Sequence, residues 1–185
     1  VMTVAGINAL VGGVMGMNQS QMRTIMAYSS IGHIGWMLSL LALYKPNASI
    51  TYFLIYSALI MPLFLAFSHF NIYSTKQMNK IPSNNAMVHL ALIILLLSLG
   101  GLPPLTGFMP KLMTIMILTE SMKLTVFMLL LGSVMNLYFY LSIAINSMLS
   151  LPETVIKPPS KDTVMSNISL VTATMSLGLA PIILM

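Results

Sequence analysis

Cysteine is absent from this 185-residue chain, and aspartate and glutamate together number only 3. The first absence excludes disulfides, Fe–S clusters and thiolate metal sites within the chain. Charge of either sign is scarce as well. Only 6% of the residues are charged, against about 25% in a soluble domain, so polar side chains cannot cover a globular surface. What is present is apolar: 57% hydrophobic residues and a mean hydropathy of +0.93. Several apolar stretches run to about 20 residues, the length needed to cross a hydrocarbon core about 30 Å thick. These runs lack the alternation of transmembrane β-strands. The expected fold is all-α: a single polytopic transmembrane helical bundle over residues 1–185.

The formal net charge is +5. Its eight Lys and Arg residues are spread between apolar spans, so they read as topology signals and not as a nucleic-acid surface. The glycines Gly12, Gly13 and Gly16 follow no strand and open no βαβ unit, which excludes a dinucleotide fingerprint. The sequence shows no P-loop, no metal-ligand cluster and no nucleophile elbow. Val1–Gly16 lacks the basic leading region of a cleavable signal. The chain opens abruptly in apolar sequence, as expected of part of a longer protein.

Six spans are expected, near Met2–Met17, Ile25–Leu43, Thr51–Phe70, Ala86–Thr119, Val126–Leu149 and Val164–Leu184. Pro62 lies inside the third and is expected to kink it. The fourth carries Gly100-Gly101-Leu102-Pro103-Pro104-Leu105-Thr106-Gly107-Phe108-Met109-Pro110, a segment that interrupts any helix. Unbroken, it would be about 50 Å long, too long for one crossing. Either it crosses once with a non-helical middle, or it turns at Pro103-Pro104 and the chain has seven spans. Basic residues concentrate on one side of a membrane. One crossing places Arg23, Lys76, Lys80, Lys157 and Lys161 against Lys45 and Lys123. A hairpin places Arg23, Lys76, Lys80 and Lys123 against Lys45, Lys157 and Lys161. The first partition is the more asymmetric and favours a single broken crossing, with the C-terminus opposite the basic side.

Lys111 then belongs to neither surface. A cation at membrane depth costs about 2.5–3.5 kcal/mol on insertion scales. Interrupted backbone there survives only where protein or a water-filled cavity covers it. Pro110 suits the first position of a second half-helix. The positive end of that half-helix disfavours a charged lysine, and the negative end of the first favours one. The arrangement suits a group that gains and loses a proton; the competing reading is a lysine snorkelling to an interface. His33 is the second candidate, with Ser29 and Ser30 on the same helical face. It is either a proton relay or a neutral histidine bonded to Ser29 or to a facing helix. His69 reads as interfacial, and His89 as a minor candidate for a polar path. Ala5, Ala9, Gly12, Gly13 and Gly16 form a small-residue face for close helix packing. Asn8 and Asn136 read as interhelical hydrogen-bonding residues, and Glu120, Glu153 and Asp162 as solvated residues of connections.

Three ordered motifs carry a resemblance. They are Met17-Asn18-Gln19-Ser20-Gln21-Met22-Arg23 running into Ala27-Tyr28-Ser29-Ser30-Ile31-Gly32-His33-Ile34-Gly35-Trp36-Met37, then Leu99 to Lys111, then Asn136-Leu137-Tyr138-Phe139-Tyr140-Leu141. Together they resemble the subunit 2 family of mitochondrial NADH dehydrogenase, an antiporter-like membrane subunit of respiratory complex I. The resemblance implies the second of two inverted five-helix repeats plus the last helix, that is, the C-terminal half. It implies a proton-translocating role in the inner mitochondrial membrane, with the C-terminus on the intermembrane-space side. Lys111 matches the family's broken-helix lysine, a proposed proton relay, and His33 a polar position of less settled role. It further implies that NADH, FMN, Fe–S clusters and ubiquinone bind other subunits, leaving no cofactor in this chain. The implied partners are the other membrane-arm subunits and the lipid bilayer, with no nucleic acid. The family's earlier helices, with a membrane glutamate and two further lysines, have no counterpart in these residues. A subunit of a related cation/proton antiporter, or a mainly structural membrane-arm subunit, are the alternatives.

Overall fold

The computed structural model describes residues 1–80, 86–120 and 122–149. The expected span at Val164–Leu184, with Lys157, Lys161, Glu153, Asp162 and the C-terminus, lies outside the described residues. Among the described residues there are six α-helices: α1 (Met2–Met17), α2 (Met22–Ala42), α3 (Pro46–His69), α4 (Ala86–Gly100), α5 (Phe108–Thr119) and α6 (Lys123–Leu149). A short 3₁₀ helix, Thr75–Lys80, follows α3. By length and composition α2, α3 and α6 are each apolar enough to cross a membrane.

Four helices begin earlier than the sequence suggests, among them α6 at Lys123 and not Val126. α3 starts at Pro46 and not Thr51, because proline's fixed φ and missing N–H suit the first helical turn. α2 starts at Met22, after an extended Gln21 that bridges to Ser74. α5 starts at Phe108, so Pro110 is its third residue and not its first; the first-turn N–H groups have no intrahelical partner, so a proline there costs none. Pro62 lies within α3, which continues on both sides of it.

Small residues set the packing of α1. Ala5, Ala9, Gly12, Gly13 and Gly16 are all buried, as the sequence face predicts. Their partners are also small. A Cβ on Gly12 would stand 2.5 Å from the Tyr28 carbonyl oxygen, and one on Gly35 would stand 2.7 Å from that of Ala5. On the other side a Cβ on Gly132 would collide with the Ala9 carbonyl. Backbones therefore touch at both seams, α1 antiparallel to α2 and parallel to α6. Gly132→Ala is expected to separate α1 from α6 and to cost about 1–3 kcal/mol, the usual range for overpacking. The check is a lower midpoint of thermal unfolding in detergent; an unchanged midpoint would refute the contact.

Two buried clusters mark the two ends of the bundle. One joins Met22 and Met26 of α2, Leu63 and Phe67 of α3, Leu92 and Leu96 of α4, and Tyr140 and Ile143 of α6. The other joins Trp36 and Leu40 of α2, Tyr52 of α3, Leu118 of α5, and Val126 and Leu129 of α6. α4 thus packs at the end where α2 begins and α3 finishes, and α5 at the opposite end. The fourth segment crosses once, broken between Gly100 and Phe108, and the seven-span hairpin is excluded. Arg23 and Lys76 sit at one end of the bundle and Lys45 and Lys123 at the other, in the partition read from the charges. Arg23 stacks on the Tyr73 ring, 5.0 Å from its centroid.

Candidate functional site

The break is built by the end of α4. Gly101 has φ +86, a left-handed conformation that L side chains rarely adopt. Its N–H donates to the Ser98 carbonyl at 3.0 Å, and the Leu102 N–H donates to Leu97 at 3.3 Å. This pair of bonds is a Schellman motif, and it satisfies two of the last four carbonyls of the helix. Those of Leu99 and Gly100 remain. Lys111 Nζ donates to the Gly100 carbonyl at 2.9 Å and to the Leu99 carbonyl at 3.5 Å. The lysine thus completes the C-terminus of a helix to which it does not belong.

The balance left open by the sequence is settled in geometric terms. Lys111 is the fourth residue of α5, yet its ammonium rests on the negative end of α4, where a cation is stabilised. It is 4% exposed and folds inward, so it does not snorkel to a bundle end. Gly101 makes this fit possible in a second way, since a Cβ there would stand 2.7 Å from Nζ. Gly107 clamps the far side of the break. Its N–H donates to Ser98 Oγ at 3.2 Å, and any Cβ would collide with the Ser98 carbonyl. A cavity of about 80 Å³ beside Lys111 is lined mostly by apolar groups, among them Trp36, Ile115, Leu130 and Leu137, with Ser133 as a polar member.

His33 is buried one helix away. Its Nδ1 lies 2.9 Å from Tyr52 Oη, and its ring lies 4.7 Å from that of Tyr56. Of the two partners expected for a bonded histidine, Ser29 or a facing helix, the bond goes to the facing helix, at Tyr52 of α3. Nε2 has no hydrogen-bond partner within the described chain. A cavity of about 10 Å³ brings His33, Tyr52 and Tyr56 together with Leu99, Gly107 and Pro110. That volume is close to one water. His33 and Leu99 line that cavity together, and the Leu99 carbonyl accepts from Lys111 Nζ at 3.5 Å.

The other histidines are elsewhere. His69 ends α3, exposed, with its ring edge-on to Phe70 at 5.0 Å. His89 lies 11 residues before Gly100 on α4, about 16 Å away along the axis at 1.5 Å per residue, too far to join Lys111. Glu120 is exposed at the end of α5. Among the described residues no group of His, Asp or Glu side chains could hold a metal ion. Tyr52 and Tyr56 were not among the candidates read from the sequence. The signal that could have found them is their spacing of one helical turn, which puts two hydroxyls on one face of an otherwise apolar span.

A family model described as NADH:quinone oxidoreductase/Mrp antiporter, transmembrane, matches residues 1–136. The chain belongs to that family. Over all 185 residues it is 55% identical to the NADH-ubiquinone oxidoreductase chain 2 of Lumbricus terrestris, covering 55% of that protein. It is 42% identical over 149 residues to the protein of the same name from Coturnix japonica, covering 78% of this chain and 42% of that one. The chain therefore spans about half the length of the curated relatives it matches. The resemblance to the subunit 2 family read from the three motifs is borne out. The fold is shared more widely. A chain of respiratory complex I from Thermus thermophilus with bound aureothin superposes with a TM-score of 0.84 at 22% identity, over 97% of this chain and 42% of that one. The Mrp complex from Dietzia sp. DQ12-45-1b gives 0.77 at 18%, over 97% and 43%. At those identities the likeness is one of fold alone.

Proposed function

We propose that this stretch is the part of a complex I membrane subunit that passes protons through Lys111, with His33 as a second station. The observation that carries the reading is the seat of the lysine. One buried ammonium caps a half-helix at the break, and a buried imidazole lines the adjoining cavity together with Leu99. Buried ionisable groups of a membrane bundle mark ion or proton paths, and half-helix ends near mid-membrane are where such sites are built. Lysine can exchange its proton, and the carbonyls hold it in place in either state.

The stretch supplies one part of such a path. Hydride and quinone chemistry belongs to other subunits, and the partners are the neighbouring membrane-arm subunits and the inner mitochondrial membrane. The bundle end with Arg23 and Lys76 faces the matrix, following the excess of basic residues on that side. The relatives' shared name, NADH-ubiquinone oxidoreductase chain 2, favours complex I over a cation/proton antiporter. Purification through a tag on this chain tests the choice. Co-purifying flavin and Fe–S subunits, with NADH-driven proton uptake into vesicles, is the expected result. Membrane subunits alone, with sodium/proton exchange, would overturn it.

A further inference from the structure

Tyr52 of α3 is 1% exposed, and its hydroxyl meets His33 Nδ1 at 2.9 Å. A buried tyrosine hydroxyl usually finds a partner, so one account is that the imidazole merely serves the tyrosine. The rest of the ring argues the reverse. His33 Nε2 is buried too, yet it has no hydrogen-bond partner within the described chain. A histidine kept only to satisfy Tyr52 would strand that second nitrogen at a cost and to no purpose. The same ring lines the small cavity with Leu99, Gly107 and Pro110. That cavity adjoins the Leu99 and Gly100 carbonyls on which Lys111 rests.

α3 fixes the imidazole twice. Tyr56 lies one helical turn after Tyr52, on the same face. Its ring centroid is 4.7 Å from that of His33 with 36° between the planes, which sets the tilt of the imidazole. The Tyr52 hydroxyl then sets the rotation within that plane, because it holds one nitrogen and not the other. A tyrosine oxygen both donates and accepts. It therefore bonds Nδ1 whether that atom is a lone pair or an N–H, and stays its partner in the neutral and the charged ring. In the charged ring Nδ1–H donates to Tyr52 Oη. Loss of the Nε2 proton leaves that bond unbroken. The bond at one ring nitrogen thus decides what the other can do.

We infer that Tyr52 is a positioning residue for proton passage: its hydroxyl is the standing partner of His33 Nδ1, holding the imidazole beside the break and leaving Nε2 as the nitrogen that exchanges protons. Tyr52 acts through the ring and carries no proton onward itself. The inference rests on the reading of His33 as a second station.

Variants of the assembled complex test it. Tyr52→Phe keeps the ring and removes the hydroxyl. It is expected to lower coupled NADH:quinone turnover per assembled complex about three- to tenfold, the size of one lost hydrogen bond, and to raise the solvent deuterium isotope effect. The discriminating background is His33→Gln, whose amide does not take up a proton. There Tyr52→Phe is expected to cost nothing further, since residues that act as one unit do not add. An equal loss in both backgrounds would make Tyr52 a packing residue and overturn the inference. Wild-type turnover in Tyr52→Phe, with His33→Gln impaired, would remove the role of Tyr52 and leave His33 a station. Wild-type turnover in His33→Gln, with Lys111→Ala impaired, would remove the His33 station and this inference with it. Cryo-electron microscopy of the wild-type complex gives a check that needs no variant to assemble: Tyr52 Oη out of hydrogen-bond reach of the imidazole refutes the contact.

Discussion

Lys111→Ala in the assembled complex is expected to lower coupled NADH:quinone turnover at least about tenfold, below the usual gain from one positioned acid–base group, while the complex still assembles. The alanine variant alone does not separate two roles, because Lys111 is also the cap of α4. Removing it leaves the Leu99 and Gly100 carbonyls without their donor. Lys111→Arg separates them. Arginine keeps the positive charge and more donors than lysine, so it can still cap the helix end, yet it does not give up its proton in a protein. A relay predicts that the arginine enzyme assembles as well as wild type and turns over as poorly as the alanine enzyme. A cap predicts that arginine restores turnover. Coupled turnover, read beside the amount of assembled complex in both variants, decides between them; full recovery in Lys111→Arg removes the proton-carrying role.

The distinction matters because the sequence and the structure supply different halves of it. A lone cation after Gly100–Pro110 was legible from residue types, since glycine, proline and a buried charge each act locally. The single crossing was legible too, from the placement of Arg23, Lys45, Lys76 and Lys123, because charge asymmetry reports topology without contacts. Which helix end Lys111 would meet was not legible. Its own helix offers a positive end one turn away, and only the folded-back loop brings the α4 carbonyls within 2.9 Å. The same limit applies to His33. Local spacing offered Ser29, one turn away, or a facing helix without saying which; the hydrogen bond goes to the facing helix, at Tyr52, 19 residues on. Gly32, Gly35 and Gly132 were likewise silent as single residues. Their meaning lies in the backbones opposite them, which the α1 glycine face predicted only from its own side.

Gly107→Ala is expected to be the most damaging single methyl group in the described chain. Gly107 is the residue before α5, and its added Cβ would collide with the Ser98 carbonyl and stand 2.7 Å from the Ser98 carbonyl carbon. Flexible side chains cannot relieve this contact, because backbone lies on both sides of it. The start of α5 must then lift off the last turn of α4, breaking the bond from the Gly107 N–H to Ser98 Oγ. Lys111 is one helical turn further along α5, so the same displacement draws Nζ away from Gly100 and leaves two carbonyls unpaired at membrane depth. Overpacking alone costs about 1–3 kcal/mol, and each orphaned carbonyl adds about 1–3 kcal/mol. The sum is comparable to the whole stability of many domains, about 5–15 kcal/mol. The expected outcome is therefore a failure of the subunit to accumulate in isolated complex, and not merely slow turnover. Growth at lowered temperature is expected to recover some assembled complex, whose turnover is then as low as that of Lys111→Ala. Normal accumulation with normal turnover would show that α5 does not need its close seat on Ser98, and that the lysine finds the α4 carbonyls without the clamp.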